Sequence, residues 1–426
     1  MSRMQKYDLI VAGGGFSGVA AAVCAARGGL RVLLVEKEGH LGGAMSNCLI
    51  YPFMPVYTTD PKSGQTKHLA AGLFQEIQGR ARQTAQMLGE QVGVYYTVSP
   101  ECYKLVLDEL TEEAGVTVLF HAEVTAVETQ AQKLQAVTVY SGSRTMRMEA
   151  DFFVDATGDG NLFALAGCAY ERGRPEDGLC QPMTTCFRLA GVDVELFFEE
   201  IAQVQKLYKA QRAAGQIANP REDILWIHGI GSGIMHFNTT RVIKHDPEDP
   251  FSLSRAAVEA RKQVGEMVMF LKKHAASCKN ATLVSIAPNI GVRESRRLCG
   301  KHMLTVQELI DRKVFRDSIA IANYDIDIHN PAGSGTSHYF FKPGEYYTIP
   351  YASLLPVEFD NLLVAGRCIS ATHEAQASVR VMPICCCMGE AVGTAIALAA
   401  KTGRTVHTVD VSTLQQKLQE NGALIF

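Results

Sequence analysis

Eight residues in, the chain reads Asp8-Leu-Ile-Val-Ala-Gly13-Gly-Gly15-Phe-Ser-Gly18, and an acidic residue, Glu36, follows 23 positions after Gly13. The apolar run Leu9 to Ala12 predicts a buried strand, and the small residues of Val19 to Arg27 predict a helix packed tightly on it. Gly28-Gly29 stops that helix, and Leu30 to Val35 predicts a second strand with Glu36 at its carboxyl end. Strand, glycine turn, helix, strand and acid in this order make a dinucleotide-binding fingerprint, and geometry demands each residue type. Gly13 permits the tight turn, Gly15 lets a pyrophosphate approach the backbone, and Gly18 lets helix and strand pack closely. The helix N-terminus offers free N–H groups and a partial positive charge to the diphosphate. Glu36 is placed to accept hydrogen bonds from the adenosine ribose hydroxyls.

With 426 residues there is room for two domains, or for one large domain with an insertion. A net charge of −3 gives no reason to expect nucleic acid as a partner. No apolar stretch approaches the roughly 18 to 20 residues of a membrane span; the longest, near Ala391 to Ala400, is broken by Gly393. The N-terminus runs almost directly into the first strand, leaving no room for a signal peptide, so a cytoplasmic location is the default expectation. The 12 cysteines are scattered and include no C-x-x-C pair. Consecutive side chains in Cys385-Cys386-Cys387 point in different directions, which does not suit a single metal or iron–sulfur site, so packing thiols and no metal are expected. Cys48 has no partner for disulfide exchange. Electrons must therefore pass to or from an external acceptor or donor.

The expected fold class is α/β. A Rossmann-like domain with a parallel sheet and a β-meander occupies residues 1–171, with a helical excursion at about 44–95, and resumes at 352–426. An α+β domain is inserted at 172–351. Thr58 to Lys67 reads as a loop before a helix (Leu69 to Leu88), and Cys102 to Ala114 as an amphipathic helix. Strands at Val116 to Phe120, Ala122 to Glu128, Leu134 to Tyr140 and Met146 to Met148 build the meander. A separate buried strand, Phe152 to Ala156, ends in Thr157-Gly158-Asp-Gly160, and Asn361 to Ala365 ends in Gly366. The insertion carries alternating segments (Thr184 to Leu189, Ile234 to Val242) and a long helix, Ser254 to His274. Gly229 to Gly233 reads as a turn before a strand. A last helix runs from about Gly389 through Ala400, its start lying near Met382 to Met388. Three strand-then-glycine junctions far apart in sequence would meet at the carboxyl edge of one open sheet, where ligands bind.

These segments carry a resemblance. With Gly13–Gly18, Ala156–Gly160, Arg293-Glu-Ser-Arg296-Arg297-Leu-Cys-Gly300 and Asn361–Arg367, the chain resembles the FAD-dependent oxidoreductases of the glutathione-reductase-like superfamily. More narrowly, it is similar to a poorly characterised bacterial group of them. The resemblance implies FAD as cofactor. It would put Gly13, Gly15, Phe16, Ser17 and Gly18 on the diphosphate and Glu36 on the ribose. Lys37, Gly42 and Gly43 would pass the adenosine and ribityl side, and Val124 the adenine edge. Ala156, Thr157 and Gly158 would line the adenosine diphosphate. Gly366 and Arg367 would meet the ribityl chain and diphosphate, the arginine suggesting a phosphate contact. The final helix, near Met388, would aim its amides at the flavin.

Redox chemistry on a small molecule needs one group to hold the substrate and another to move a proton. Arg293, Arg296 and Arg297 would form a cationic cluster able to clamp a carboxylate, or else a salt-bridged surface with Glu294 and Asp311. Of these, Arg293 is the substrate-binding candidate and Arg296 the catalytic one. His329 is a general acid–base candidate, or a structural histidine bonded to a carboxylate. Tyr347, near Ile349-Pro350, is a further catalytic candidate on a pocket wall, or else plain packing. His373 (catalytic) and Arg380 (substrate-binding) follow the Gly366-Arg367 turn closely enough to lie near the flavin. The expected function is hydride transfer between a small organic substrate, anionic or polyhydroxylated, and flavin N5. An electron-transfer flavoprotein subunit, or an oxygen-using oxidase or monooxygenase, is the alternative. A homo-oligomer is left open.

Overall fold

The computed structural model describes residues 6–93, 98–228 and 231–425. Its main sheet runs Thr117–Leu119, Val32–Val35, Tyr7–Ala12, Arg144–Asp155, Lys133–Ser141, Ala122–Gln130, with Leu362–Val364 also pairing with Arg144–Asp155. The parallel registers align Ala12 with Val35, Ala12 with Asp155, and Val364 with Asp155. Four strand ends thus stand in one row.

Two strands expected as separate, Met146 to Met148 and Phe152 to Ala156, are one 12-residue strand, Arg144–Asp155. Its first half pairs antiparallel with Lys133–Ser141 and its second half parallel with Tyr7–Ala12, so one strand serves both the meander and the parallel sheet. Tyr57–Thr59 and Thr66–His68, expected as a loop, form a small antiparallel hairpin.

Behind the sheet, helix Phe16–Arg27 packs against helix Met382–Thr402 along small residues. A Cβ added at Gly389 would lie 2.1 Å from the Ser17 carbonyl oxygen, and one at Gly393 2.2 Å from that of Ala21. The backbones are nearly in contact, and the four-residue spacing keeps both glycines on one helix face. Met382–Thr402 begins a turn and more before Gly389. By length and composition it is apolar enough to cross a membrane, but 83% of its most apolar window is buried inside the protein, mainly as the core partner of the glycine helix.

That helix also buries Glu390, whose carboxylate accepts from the Leu73 amide at 3.1 Å and caps helix Leu73–Met87. Burial raises its pKa from 4.5 to about 7. The folded protein therefore holds this proton more tightly than the unfolded chain does. The associated stability is present below pH 4.5 and is lost as pH rises through 7. Glu390→Gln, which keeps an acceptor for Leu73, is expected to stabilise the protein at pH 8 by up to about 3 kcal/mol and to do little at pH 5. Denaturant melts at the two pH values check this; equal gains at both would contradict it.

A second core sits in the residues between the nucleotide-type segments. Strands Trp226–Ile227, Met235–Phe237, Phe187–Ala190 and Thr282–Ile286 form a four-stranded sheet in that order. Phe187, Leu189, Met235 and Phe237 point from it onto helices Val194–Ala213 and Pro250–His274. The first of these helices has no counterpart in the sequence expectations. Its core face, Val194, Phe197, Ile201, Val204 and Tyr208, recurs every three or four residues, but the exposed Phe198 and Leu207 blur that stripe in the sequence. The strand at Met235–Phe237 follows Gly231–Gly233 as expected, while Gly229 and Ile230 lie outside the described residues. Leu298, Leu304, Ile319 and Ile349 pack into the main core.

Candidate functional site

The three glycine junctions meet. Gly13 takes φ +100°, and a Cβ on it would lie 2.5 Å from the Ala156 carbonyl oxygen. A Cβ on Gly43 would lie 2.8 Å from the Gly15 Cα, and one on Gly366 3.0 Å from the Ser17 hydroxyl oxygen. The Gly42 amide donates to the Gly14 carbonyl at 2.9 Å, bringing the 42–43 loop over the first turn. Arg367 donates through Nε to the Gly158 carbonyl at 2.9 Å and pairs with Asp159.

What gathers at this edge suits a dinucleotide. Gly15 is the N-cap of Phe16–Arg27 and brings no side-chain cap, so the first-turn amides of that helix, at Phe16, Ser17 and Gly18, keep their donors. The Ser17 hydroxyl is buried without a hydrogen-bond partner. Glu36, 5% exposed, accepts from the Gly14 amide at 2.5 Å and the Glu38 amide at 2.8 Å. These bonds fix the carboxylate, and each oxygen retains a lone pair for a ribose hydroxyl. Lys37 is exposed beside it. Val124 sits next to a bulge in Ala122–Gln130, the strand reached from Glu36 through the bond from the Ala122 amide to the Glu36 carbonyl. Asp155, fully buried, organises the second junction by accepting from the Thr157 amide and hydroxyl and the Phe163 amide.

Arg367, expected on phosphate, donates to Gly158 through Nε and to Asp159 through Nη2, which ties the third junction to the second and leaves Nη1 outside both bonds. One expectation at this edge needs correction. Met388 lies inside the last helix. That helix starts at Met382, and the Cys385 amide already bonds to the Val381 carbonyl, so the amides of Met382 and Ile384 are the free ones.

The arginines of 293–297 part company. Residues 296–298 form a strand paired with Tyr170–Arg172, so successive side chains alternate. Arg296 pairs with Glu248 at 3.0 Å and donates to the Asp159 carbonyl and Asn161, a tethering role that replaces the expected catalytic one. Arg297, 2% exposed, pairs with Glu294 and donates to the carbonyls of Ala371 and Gly173. Arg293 turns the other way, with one hydrogen bond, to the Pro182 carbonyl at 2.6 Å. Fully buried Glu294 also accepts from the Gln181 amide at 2.9 Å and lies 2.8 Å from His373 Nδ1. His373 Nε2 is buried and unpartnered. A carboxylate on one ring nitrogen and a bare lone pair on the other is the arrangement of an oriented base.

His329 has no such freedom. Arg241, which can only donate, lies 3.0 Å from its Nδ1, so Nε2 carries the proton and faces Asp327 at 3.3 Å. Burial, then the charge of Arg293, holds its pKa well below the usual histidine range. It is a neutral strut between Arg241 and Asp327 rather than a proton carrier. Asp327 is kept well below the carboxylate range, against the effect of burial, by His329, Arg380 and Arg293. Arg380 lies 3.6 Å from it, with its Nε buried and unpartnered. Tyr347, fully buried, donates to Ser378 at 2.7 Å, whose own hydroxyl bonds to the Tyr324 carbonyl; this is packing, not a reactive phenol.

Sequence reasoning passed over Arg188, Arg221 and His236. Arg188 and His236 face each other across neighbouring strands of the second sheet. A charged and an ionisable residue interrupting the apolar alternations Thr184 to Leu189 and Ile234 to Val242 was the available signal.

The family described as FAD dependent oxidoreductase matches residues 8–418. Protein FixC from Azorhizobium caulinodans is 26% identical over 182 residues, spanning 40% of this chain and 41% of that protein. Among solved structures, a geranylgeranyl bacteriochlorophyll reductase-like protein from Thermoplasma acidophilum is 12% identical, with a TM-score of 0.47 over 99% of this chain and 85% of that one. The p-nitrophenol 4-monooxygenase PnpA from Pseudomonas putida DLL-E4 is 9% identical, with a TM-score of 0.49 over 97% and 85% of the two chains.

Proposed function

This chain belongs to the FAD dependent oxidoreductase family, and on that premise we propose that it moves hydride between a small organic substrate and N5 of its FAD, an external electron acceptor or donor completing the cycle. The carrying observation is the meeting of the junctions at Gly13, Ala156 and Gly366 on one sheet edge. Bound FAD supplies the two-electron centre. The chain supplies the rest. The amides of Phe16 to Gly18 and the Ser17 hydroxyl hold the diphosphate, Glu36 the ribose, and the free amides of Met382 and Ile384 favour negative charge at the helix start. Arg293 and Arg380 hold the substrate. When a substrate C–H bond gives up hydride, the proton left on the attached oxygen needs an acceptor, and His373 Nε2, oriented by Glu294, has a lone pair to offer.

Anaerobic bleaching of the holoenzyme with pools of metabolites identifies the substrate. His373→Ala is then expected to slow reduction by about 100-fold or more at unchanged FAD content. His329→Ala should act through substrate binding, raising KM more than it lowers kcat. Wild-type reduction rates in His373→Ala would remove the proton-transfer assignment.

A further inference from the structure

The sheet of the second core has two faces of opposite character. Helices cover the one bearing Phe187, Leu189, Met235 and Phe237, while Arg188 and His236 lie on the other. There the Arg188 guanidinium sits 5.2 Å from the centre of the Tyr51 ring, and the His236 ring 4.5 Å from it. Tyr51 arrives on the segment that leaves Gly42-Gly43, so this face adjoins the nucleotide edge. Cys186, buried just before that strand, feels the charges of Arg293, Arg188 and Arg221. Arg293 in turn is pushed down to about 9 by burial and by Arg380 and Arg221.

Three of these cations lack a bonded counter-charge, although Arg293 feels the charge of Asp327. Arg241 pairs with Glu222 at 3.2 Å and Arg380 lies 3.6 Å from Asp327, whereas among the described residues none of Arg188, Arg221 and Arg293 forms an ion pair. Arg188 Nε and Nη2, Arg221 Nε and both ring nitrogens of fully buried His236 have no hydrogen-bond partner. Removing like charges from water and leaving their donors unused costs on every count: desolvation, repulsion and unmade hydrogen bonds. An anion resolves all three, and guanidinium forks match the planar geometry of carboxylate or phosphate.

From this convergence we infer that the face bearing Arg188, His236 and Tyr51, with Arg221 and Arg293, binds the substrate as a small organic anion carrying at least two negative charges. The inference deepens the hydride-transfer reading and rests on it for the word substrate. His236, held neutral at about pKa 3 by burial and Arg188, serves as a hydrogen-bonding partner of that anion.

Calorimetric titration of the holoenzyme, with its FAD content measured, tests the anion site directly. Succinate, citrate and glycerol 3-phosphate are the dianionic and trianionic probes, with butyrate and acetate as monoanions. At least one multiply charged probe is expected to bind tenfold or more tightly than butyrate; whether succinate or glycerol 3-phosphate leads assigns carboxylate or phosphate. Arg188→Gln and Arg221→Gln should each weaken that binding tenfold or more at unchanged FAD content, and Arg188→Lys, which keeps the charge, by less. Equal binding of monoanions and dianions, or unchanged affinity in folded Arg188→Gln or Arg188→Lys, would overturn the inference. A preparation that binds dianions but neither holds nor takes up FAD would count against the redox reading alone.

Discussion

Glu294→Ala is expected to remove about 3–5 kcal/mol of stability, the range for stripping one partner from a buried charge pair. The glutamate is fully buried, and Arg297 beside it is 2% exposed. Without the carboxylate, Arg297 keeps its bonds to the Ala371 and Gly173 carbonyls but loses its only buried counter-charge, and the Gln181 amide loses its acceptor. Residues 173, 181, 297, 371 and 373 are all fastened through this one side chain, so the loss should be felt as cooperative unfolding at lower denaturant. Glu294→Ala combined with Arg297→Met should recover part of the loss, because the stranded charge goes too. A single-variant cost below about 1 kcal/mol would mean that the pair contributes no more than a surface bridge. The same change frees His373 Nδ1, so activity should fall further than stability alone explains.

Gly18→Val is expected to yield protein largely without FAD and markedly destabilised. A Cβ at Gly18 would lie 1.8 Å from the Gly13 carbonyl oxygen, a backbone atom that cannot step aside. The cost should exceed the roughly 1–3 kcal/mol of an ordinary overpacked core. Gly15→Ala separates packing from cofactor approach. A Cβ there meets only the Gly43 Cα, at an ordinary 3.8 Å, so the fold should tolerate it. FAD affinity should drop all the same, since the added methyl stands where the diphosphate approaches. The ratio of flavin to protein absorbance, read beside a melting curve, distinguishes the two variants. Full FAD occupancy in Gly15→Ala would show that the diphosphate does not pass over this residue.

Much of this edge was legible beforehand, because its demands are local. A turn with φ +100° at Gly13, a helix start free of side-chain caps and an acid closing the second strand each leave a residue-type signature within a few positions. The substrate side was less legible. Arg293, Arg296 and Arg297 read as one cluster because they are neighbours in sequence, yet strand alternation and separate partners send them to three places. His329 and Tyr347 carry reactive groups, but contacts from Arg241 and Ser378, distant in sequence, occupy them. Conversely, Arg188 and His236 gain meaning only once two strands are paired.

By itself, then, the order of residues determined the nucleotide-type segments and the glycine junctions, since short-range sterics and backbone hydrogen bonding leave few residues able to make such turns, while FAD followed from the family to which those segments belong. Tertiary structure alone decided which arginines keep an unpaired charge, which histidines keep a free nitrogen and how Arg144–Asp155 joins the meander to the parallel strands. Those properties depend on desolvation and on partners brought from tens or hundreds of positions away, and no local pattern records them.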